Sequence, residues 1–163
     1  MRKEENKGFT LAELLIVVAI IGVLVAISIP IFSKQLEKAR DATSVANLRS
    51  AYAEAMAEYL NPDLSLKKRK GLVIKDSNGN ITMSVNFESE TSSTITSIVV
   101  YNVDIESKKS NNWSGLGNNL PFYSTFKTFP QSHGDPGKSG KVKVTFTYDE
   151  DGNITETRLT DQS

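Results

Sequence analysis

The stretch from Leu14 to Phe32 is 19 residues long, and only Gly22, Ser28 and Pro30 interrupt its apolar character. At a rise of about 1.5 Å per residue, a helix of that length approaches the roughly 30 Å hydrocarbon thickness of a bilayer. An apolar surface all round suits a bilayer or the core of a bundle. The run also takes much of the Leu, Ile and Val in a chain of 163 residues. The rest of the chain is polar, rich in Ser, Thr and Asn, and long enough at about 110–130 residues to bury one modest core. An ordinary secretory signal has an apolar region of about 7–15 residues and then a small-residue cleavage site. Here Phe32 leads into Ser33-Lys34-Gln35-Leu36-Glu37-Lys38, which reads as continuing helix.

Residues 1–8 are polar and charged, with Arg2, Lys3 and Lys7 set against Glu4 and Glu5. Glu13 lies at the threshold of the apolar run. A carboxylate placed deep in hydrocarbon costs on the order of 2.5–3.5 kcal/mol even on lenient scales. Two readings are open for it: a place in the headgroup layer, favoured by the helix dipole, or a wait for a positive partner. Gly22 is a weak point in the helix. Pro30 cannot donate to the carbonyl of Ala26, so it kinks or locally opens that turn.

The run Lys7-Gly8-Phe9-Thr10-Leu11-Ala12-Glu13-Leu14-Leu15-Ile16-Val17-Val18-Ala19-Ile20-Ile21-Gly22 resembles the type IV pilin signature. The likeness covers about residues 7–32 and fixes residue types at fixed offsets. The lack of cysteine and the Lys-rich, Asn-rich style look closest to the major pilins of Gram-positive, clostridial-type bacteria. The resemblance implies a leader, residues 1–8, removed by a prepilin peptidase between Gly8 and Phe9, with methylation of the new Phe9 amine. It implies that Glu13 neutralises the Phe9 amine of a neighbouring subunit. It also implies that the stretch from Gly22 to Pro30 melts in the filament. Many pilins carry a further helix proline where this chain has Ser50, which puts a second bend in doubt. Lys and Arg are balanced on the two sides of the run, so the orientation with the amino end inside comes from the resemblance alone.

Beyond the run, Val45, Leu48, Tyr52, Ala55 and Tyr59 recur at spacings of 3 and 4, an amphipathic helical stripe. Arg40, Asp41, Asn47, Arg49, Glu54 and Glu58 mostly fall off it, and Asn61-Pro62 stops the helix. An unbroken helix from Phe9 to Leu60 would be ~78 Å long. The remainder reads as strands: 71–75 and 81–87 around a turn at Asn78-Gly79, 94–103, then 141–148 paired through Asp151-Gly152 with 154–159. Residues 107–140 read as an irregular surface loop with one short helix. The expected class is α+β, a long N-terminal helix packed on a C-terminal antiparallel sheet. The expected divisions are a leader (1–8), an apolar membrane or filament-core helix (9–32), an amphipathic helix entering the head (33–61) and a β-rich head (62–163).

The chain offers no credible catalytic set. His133 is the sole histidine and there is no cysteine, which leaves neither a metal-ligand cluster nor thiolate chemistry. No G-x-S-x-G elbow is present. Asp149-Glu150-Asp151-Gly152-Asn153 shares part of a calcium-loop pattern, but a hairpin turn fits it better. Lys67-Lys68-Arg69-Lys70 reads as a solvated loop, or as an ionic contact with a neighbouring subunit, an anionic surface or DNA. Trp113, Phe122, Tyr123, Phe126 and Phe129 read as the core of the irregular region, with an exposed adhesive patch as the other reading. Three Asn-x-Ser/Thr sequons, at Asn80, Asn112 and Asn153, read as unmodified. Basic and acidic residues number 19 each, so no electrostatic footprint for nucleic acid spans the domain.

The expectation is a non-enzymatic pilus subunit without cofactor or metal. It would stand in the membrane before assembly and in an extracellular pilus after it, serving adhesion, motility or biofilm formation. Its partners would be other copies of itself in a helical homopolymer, the prepilin peptidase and the inner-membrane assembly machinery, with no specific nucleic acid. The alternatives are a pseudopilin of a secretion or DNA-uptake machine and a membrane-tethered binding module that never polymerises.

Overall fold

The structure, a computed structural model, describes residues 9–126 and 135–162. Gly8, expected at the cleavage site, the rest of the expected leader, Phe129 and His133 lie outside the described residues. The chain divides into two compact units, Met1–Leu36 and Glu37–Ser163. Helix α1, Leu11–Leu60, contributes to both.

In the first unit α1 leaves its large apolar side chains exposed, from Leu11 and Leu14 through Ile31 and Phe32. Gly22 and Pro30 both lie inside the helix. Ser28 Oγ donates to the Leu24 carbonyl at 2.7 Å, and Ser33 Oγ to the Ile29 carbonyl at 2.9 Å, so both hydroxyls are satisfied within the helix.

The second unit is an α+β head. Its sheet holds β1 (Lys67–Lys68), β2 (Gly71–Lys75), β3 (Ile81–Phe87), β4 (Ile95–Ile105), β5 (Gly140–Tyr148) and β6 (Ile154–Asp161), in that spatial order and antiparallel throughout. Strand alternation puts every second residue on one face. The register aligns two apolar rows there, Leu72–Val85–Ile98–Phe146 and Ile74–Met83–Val100–Val144–Leu159. The helical stripe supplies the other half of the core, with Val45, Leu48, Ala51 and Ala55 buried among these strands. Tyr52 lies 5.4 Å from the Phe122 ring and 5.9 Å from the Phe146 ring, and Tyr59 stacks on Tyr148 at 4.5 Å. The strands follow the sequence pattern closely. The basic run departs from it: Lys67 and Lys68 form a short edge strand where a loop is expected, because they pair with Leu72 and Gly71.

Two hairpins share one turn chemistry. Asp76-Ser77-Asn78-Gly79-Asn80-Ile81-Thr82 and Asp149-Glu150-Asp151-Gly152-Asn153-Ile154-Thr155 have Asp, Gly, Asn, Ile and Thr at matching places. In each, one carboxylate oxygen accepts two backbone N–H groups, from Asn78 and Asn80 at 2.8 and 2.9 Å and from Asp151 and Asn153 at 3.1 and 2.7 Å. The Asn amide donates to the other oxygen, at 3.1 and 3.2 Å. These donors hold both carboxyls below the usual Asp range, led by the Asn80 side chain at Asp76 and the Asn153 N–H at Asp149. Gly79 and Gly152 sit at φ +83°, where a side chain would strain the turn. The calcium-loop likeness at Asp149 is thus a self-capped hairpin turn.

Sequence pattern misplaces one group of polar residues. Asp41, which falls off the apolar stripe, is fully buried, as is Ser44, and Glu37 is nearly so. Their spacing of 4 and 3 continues the stripe as a polar seam toward the amino end. Glu37 Oε1 accepts the N–H groups of Lys108 and Lys109 at 2.7 and 2.9 Å. Ser44 Oγ accepts those of Glu106 and Ser107 at 2.9 and 3.0 Å. Asp41 accepts from the hydroxyls of Ser107 and Ser114 and from Asn111 Nδ2. The seam anchors the β4–β5 connection, whose described residues hold three short 3-10 helices, Trp113–Gly115, Gly117–Asn119 and Tyr123–Thr125, where one helix is expected. Asn112, Trp113 and Ser114 all have φ near +55°. That costly backbone is held by Asp41 and by buried Asp135, whose Oδ2 accepts the N–H groups of Asn111 and Trp113. Asp41→Ala leaves buried donors unpaired and should destabilise the head by about 2–3 kcal/mol in chemical unfolding.

The aromatic residues of this connection are core. Trp113 and Phe122 are buried, and Tyr123 and Phe126 pack against the cluster. The exposed adhesive patch is therefore not formed by Trp113 or Phe122. One buried hydroxyl is unmatched: Tyr148 Oη has no hydrogen-bond partner among the described residues. Burial pushes this phenol up, helped by Tyr52 and Tyr59. A raised folded value means that stability is complete below the unfolded Tyr value and is lost above it. We expect a thermal midpoint insensitive to Tyr148 below about pH 10 and falling beyond it. Tyr148→Phe should remove that alkaline loss and cost nothing at neutral pH.

Candidate functional site: the amino end of helix α1

Three of the residues expected to act in processing and assembly, Gly8, Phe9 and Glu13, fall within the short stretch 8–13. Of these, Phe9 and Glu13 are described. The Phe9 side chain is 89% exposed. Thr10 precedes the first helical residue and caps it: Thr10 Oγ accepts the Glu13 N–H at 3.2 Å. Glu13 Oε2 in turn accepts the Thr10 N–H at 2.8 Å and the Thr10 hydroxyl at 2.7 Å. This is a reciprocal capping box, and it satisfies two of the orphan donors of a helix start.

Thr10 is the residue that sequence reasoning missed. Its signal, Thr-x-x-Glu ahead of an apolar run, was present but overshadowed by the charge on Glu13. The box engages one carboxylate oxygen and fixes the Glu13 rotamer. The hydrogen bonds given to Glu13 leave Oε1 without a partner within the described residues. A carboxylate so held presents one occupied oxygen and one available to a cation. Gly22 and Pro30 lie further along the same helix and take no part in the box.

The surroundings of this end are apolar. Leu11, Leu14, Leu15, Ile16, Val17 and Val18 are all substantially exposed. Full burial of such side chains is worth about 1.5–3 kcal/mol each, so water is a poor environment for the surface they form. The helix is long and apolar enough to cross a membrane.

Comparison with known proteins agrees on this segment. The model of the prokaryotic N-terminal methylation motif matches residues 5–29. The type IV major pilin protein PilA of Myxococcus xanthus is 43% identical over 58 residues, covering 36% of this chain and 26% of that protein. The type IV narrow pilus major component PilA5 of Thermus thermophilus is 52% identical over 56 residues, covering 32% of this chain and 47% of that protein. The fimbrial protein EcpC of Eikenella corrodens is 41% identical over 59 residues, 36% of this chain and 38% of its own. The chain thus spans less than half the length of these relatives. No solved structure matches it. A methylation-motif amino end on a one-helix, one-sheet α+β architecture defines a pilin-like protein. By that end, the chain is similar to type IV pilins.

Proposed function

We propose that the chain is a structural subunit of a type IV pilus, without enzymatic activity, that polymerises through the first half of α1. The observation that carries the reading is the single carboxylate of Glu13 at the threshold of an exposed apolar helix, within a matched methylation motif. Removal of residues 1–8 by a prepilin peptidase would create a positive amine on Phe9, which is then methylated. In an apolar filament core that amine and Glu13 cannot stay apart, because each unpaired ion costs several kcal/mol. Pairing Phe9 of one subunit with Glu13 of its neighbour satisfies both and fixes the axial stagger.

Before assembly, residues 9–32 lie in the membrane with the amino end inside, residues 33–61 lead into the head, and residues 62–163 complete it outside. The inner-membrane assembly machinery extracts the subunit, and the filament carries the head to the cell exterior. There it serves adhesion, motility or biofilm formation. Gly22 and Pro30 weaken the intervening helix, so this stretch extends by melting as subunits pack. The test is direct: antibody to the head should decorate long surface filaments, and deletion of the chain should abolish them. Labelling confined to the cell envelope, with filaments unchanged by the deletion, would defeat the pilus reading and favour a pseudopilin or a tether.

A further inference from the structure

Antiparallel order places three turns at one end of the sheet: β1–β2 at Arg69-Lys70, β3–β4 at 88–94 and β5–β6 at 149–153. The two outer turns differ in charge. Lys68, Arg69 and Lys70 are exposed at the β1–β2 turn. Glu88 follows on the β3–β4 turn, then Glu150 and Asp151 on the β5–β6 turn, all exposed. None of these six forms a salt bridge among the described residues, although four others are formed in the head. Lys67 is different. It donates to the Ser92 carbonyl at 2.5 Å and lies 4.3 Å over the Phe87 ring, which pins the basic edge in place.

Both charged turns are tied down by contacts within the head. Phe87 N–H donates to the Lys70 carbonyl at 2.8 Å. The acidic turn is capped by Asp149, and Tyr59 packs against it so closely that a Cβ on Gly152 would meet the Tyr59 hydroxyl at 2.7 Å. The two turns stand four strand spacings apart, ~19 Å, too far to neutralise each other within one chain. A basic edge turn alone would be ordinary protection against edge pairing. That account leaves the ordered acidic turn at the same end unexplained.

We infer that the basic β1–β2 turn of one subunit docks on the acidic β5–β6 turn of a second copy of this chain. The contact rests on the filament reading above. Complementary patches at different places on one molecule make a heterologous interface, which propagates as an open helix where the rotation does not close into a ring. The partner is a copy because the same chain supplies both signs, on turns whose backbones are hydrogen-bonded in place.

The test uses the full chain expressed in its own cells, with filaments sheared and quantified. Lys68→Glu with Lys70→Glu should lower filament yield by about fivefold at about 0.1 M salt, the scale on which exposed ion pairs act. Glu150→Lys with Asp151→Lys should do the same, and all four substitutions together should restore the yield. Because the chain has no cysteine, Lys70→Cys combined with Glu150→Cys gives a clean second readout. Oxidised filaments should show a ladder of covalent multimers, which neither single variant gives. Within one chain the two sites are beyond the roughly 7 Å limit for a disulfide. Unchanged yield in the reversals together with no ladder overturns the contact, as does a DNA-binding loss in the first pair that the second pair does not restore. Absence of filaments from the unaltered chain would instead strike the filament reading itself.

Discussion

Glu13→Ala should leave a chain that is synthesised, inserted and cut, yet forms about a hundredfold fewer filaments. The magnitude comes from the environment. Breaking a buried ion pair by removing one partner costs about 3–5 kcal/mol, since the surviving charge stays in apolar surroundings. Each tenfold change in an equilibrium corresponds to about 1.4 kcal/mol, so about two to three and a half decades are at stake. The capping box supplies a rival explanation, because Glu13 also ties down Thr10. Two further variants separate the roles. Glu13→Gln keeps an acceptor oxygen for Thr10 and loses the charge, and it should fail nearly as badly as Ala. Thr10→Val loses the cap and keeps the charge. It should cost about 0.5–2 kcal/mol of helix-end stability and a correspondingly smaller loss of filaments. The order Ala, Gln, then Val in severity supports pairing. Equal mild effects across all three would support a merely local cap.

Phe146→Ala should be the most damaging change in the head. The ring is fully buried at the centre of β5 and lies 5.1 Å from Phe122 and 5.9 Å from Tyr52. It thereby joins the sheet, helix α1 and the β4–β5 connection at one point. Truncating a buried Phe costs about 3–5 kcal/mol through lost transfer energy and a residual cavity. Domains of this size carry about 5–15 kcal/mol in all, so the variant keeps little reserve. Chemical unfolding of the detergent-solubilised chain should show the midpoint falling sharply. Subunit levels in cells should fall with it. A loss below about 1 kcal/mol would mean that the aromatic cluster is not the hub of the head.

The features legible in the sequence are those that periodicity encodes. The stripe through Val45, Leu48, Tyr52, Ala55 and Tyr59 and five of the six described strands were visible, because burial on one face leaves a repeat of 3.6 or 2, while the apolar run was visible by its length. The Asp-Gly and Asn-Gly turns were visible for the same local reason: positive φ selects glycine. Two things were hidden. Asp41 read as lying off the apolar stripe, and the burial of Glu37 and Ser44 left no local signal, because their partners, Glu106 to Ser114, lie more than 60 residues away. Nothing local distinguishes a carboxylate awaiting backbone donors from one awaiting water. Edge strand β1 was hidden because two lysines carry no alternation, and only pairing with Gly71 and Leu72 makes them a strand.

At the amino end, a motif of fixed offsets singles out Phe9 and Glu13, whereas the Thr10 cap needed the hydrogen bonds to be seen. The box sharpens the electrostatic account. On the proposed pairing, Glu13 would meet the amine with its rotamer set and one oxygen already occupied, so less side-chain entropy would be lost. The head contributes in a different way, presenting ordered turns of opposite charge at one end of its sheet.

The central claim is that processing creates the amine with which Glu13 pairs. Mass analysis of the amino-terminal peptide from sheared surface filaments tests it most directly. The account predicts a chain that begins at Phe9 and carries a methylated amine. A chain beginning beyond residue 30, or one retaining Met1, would contradict it.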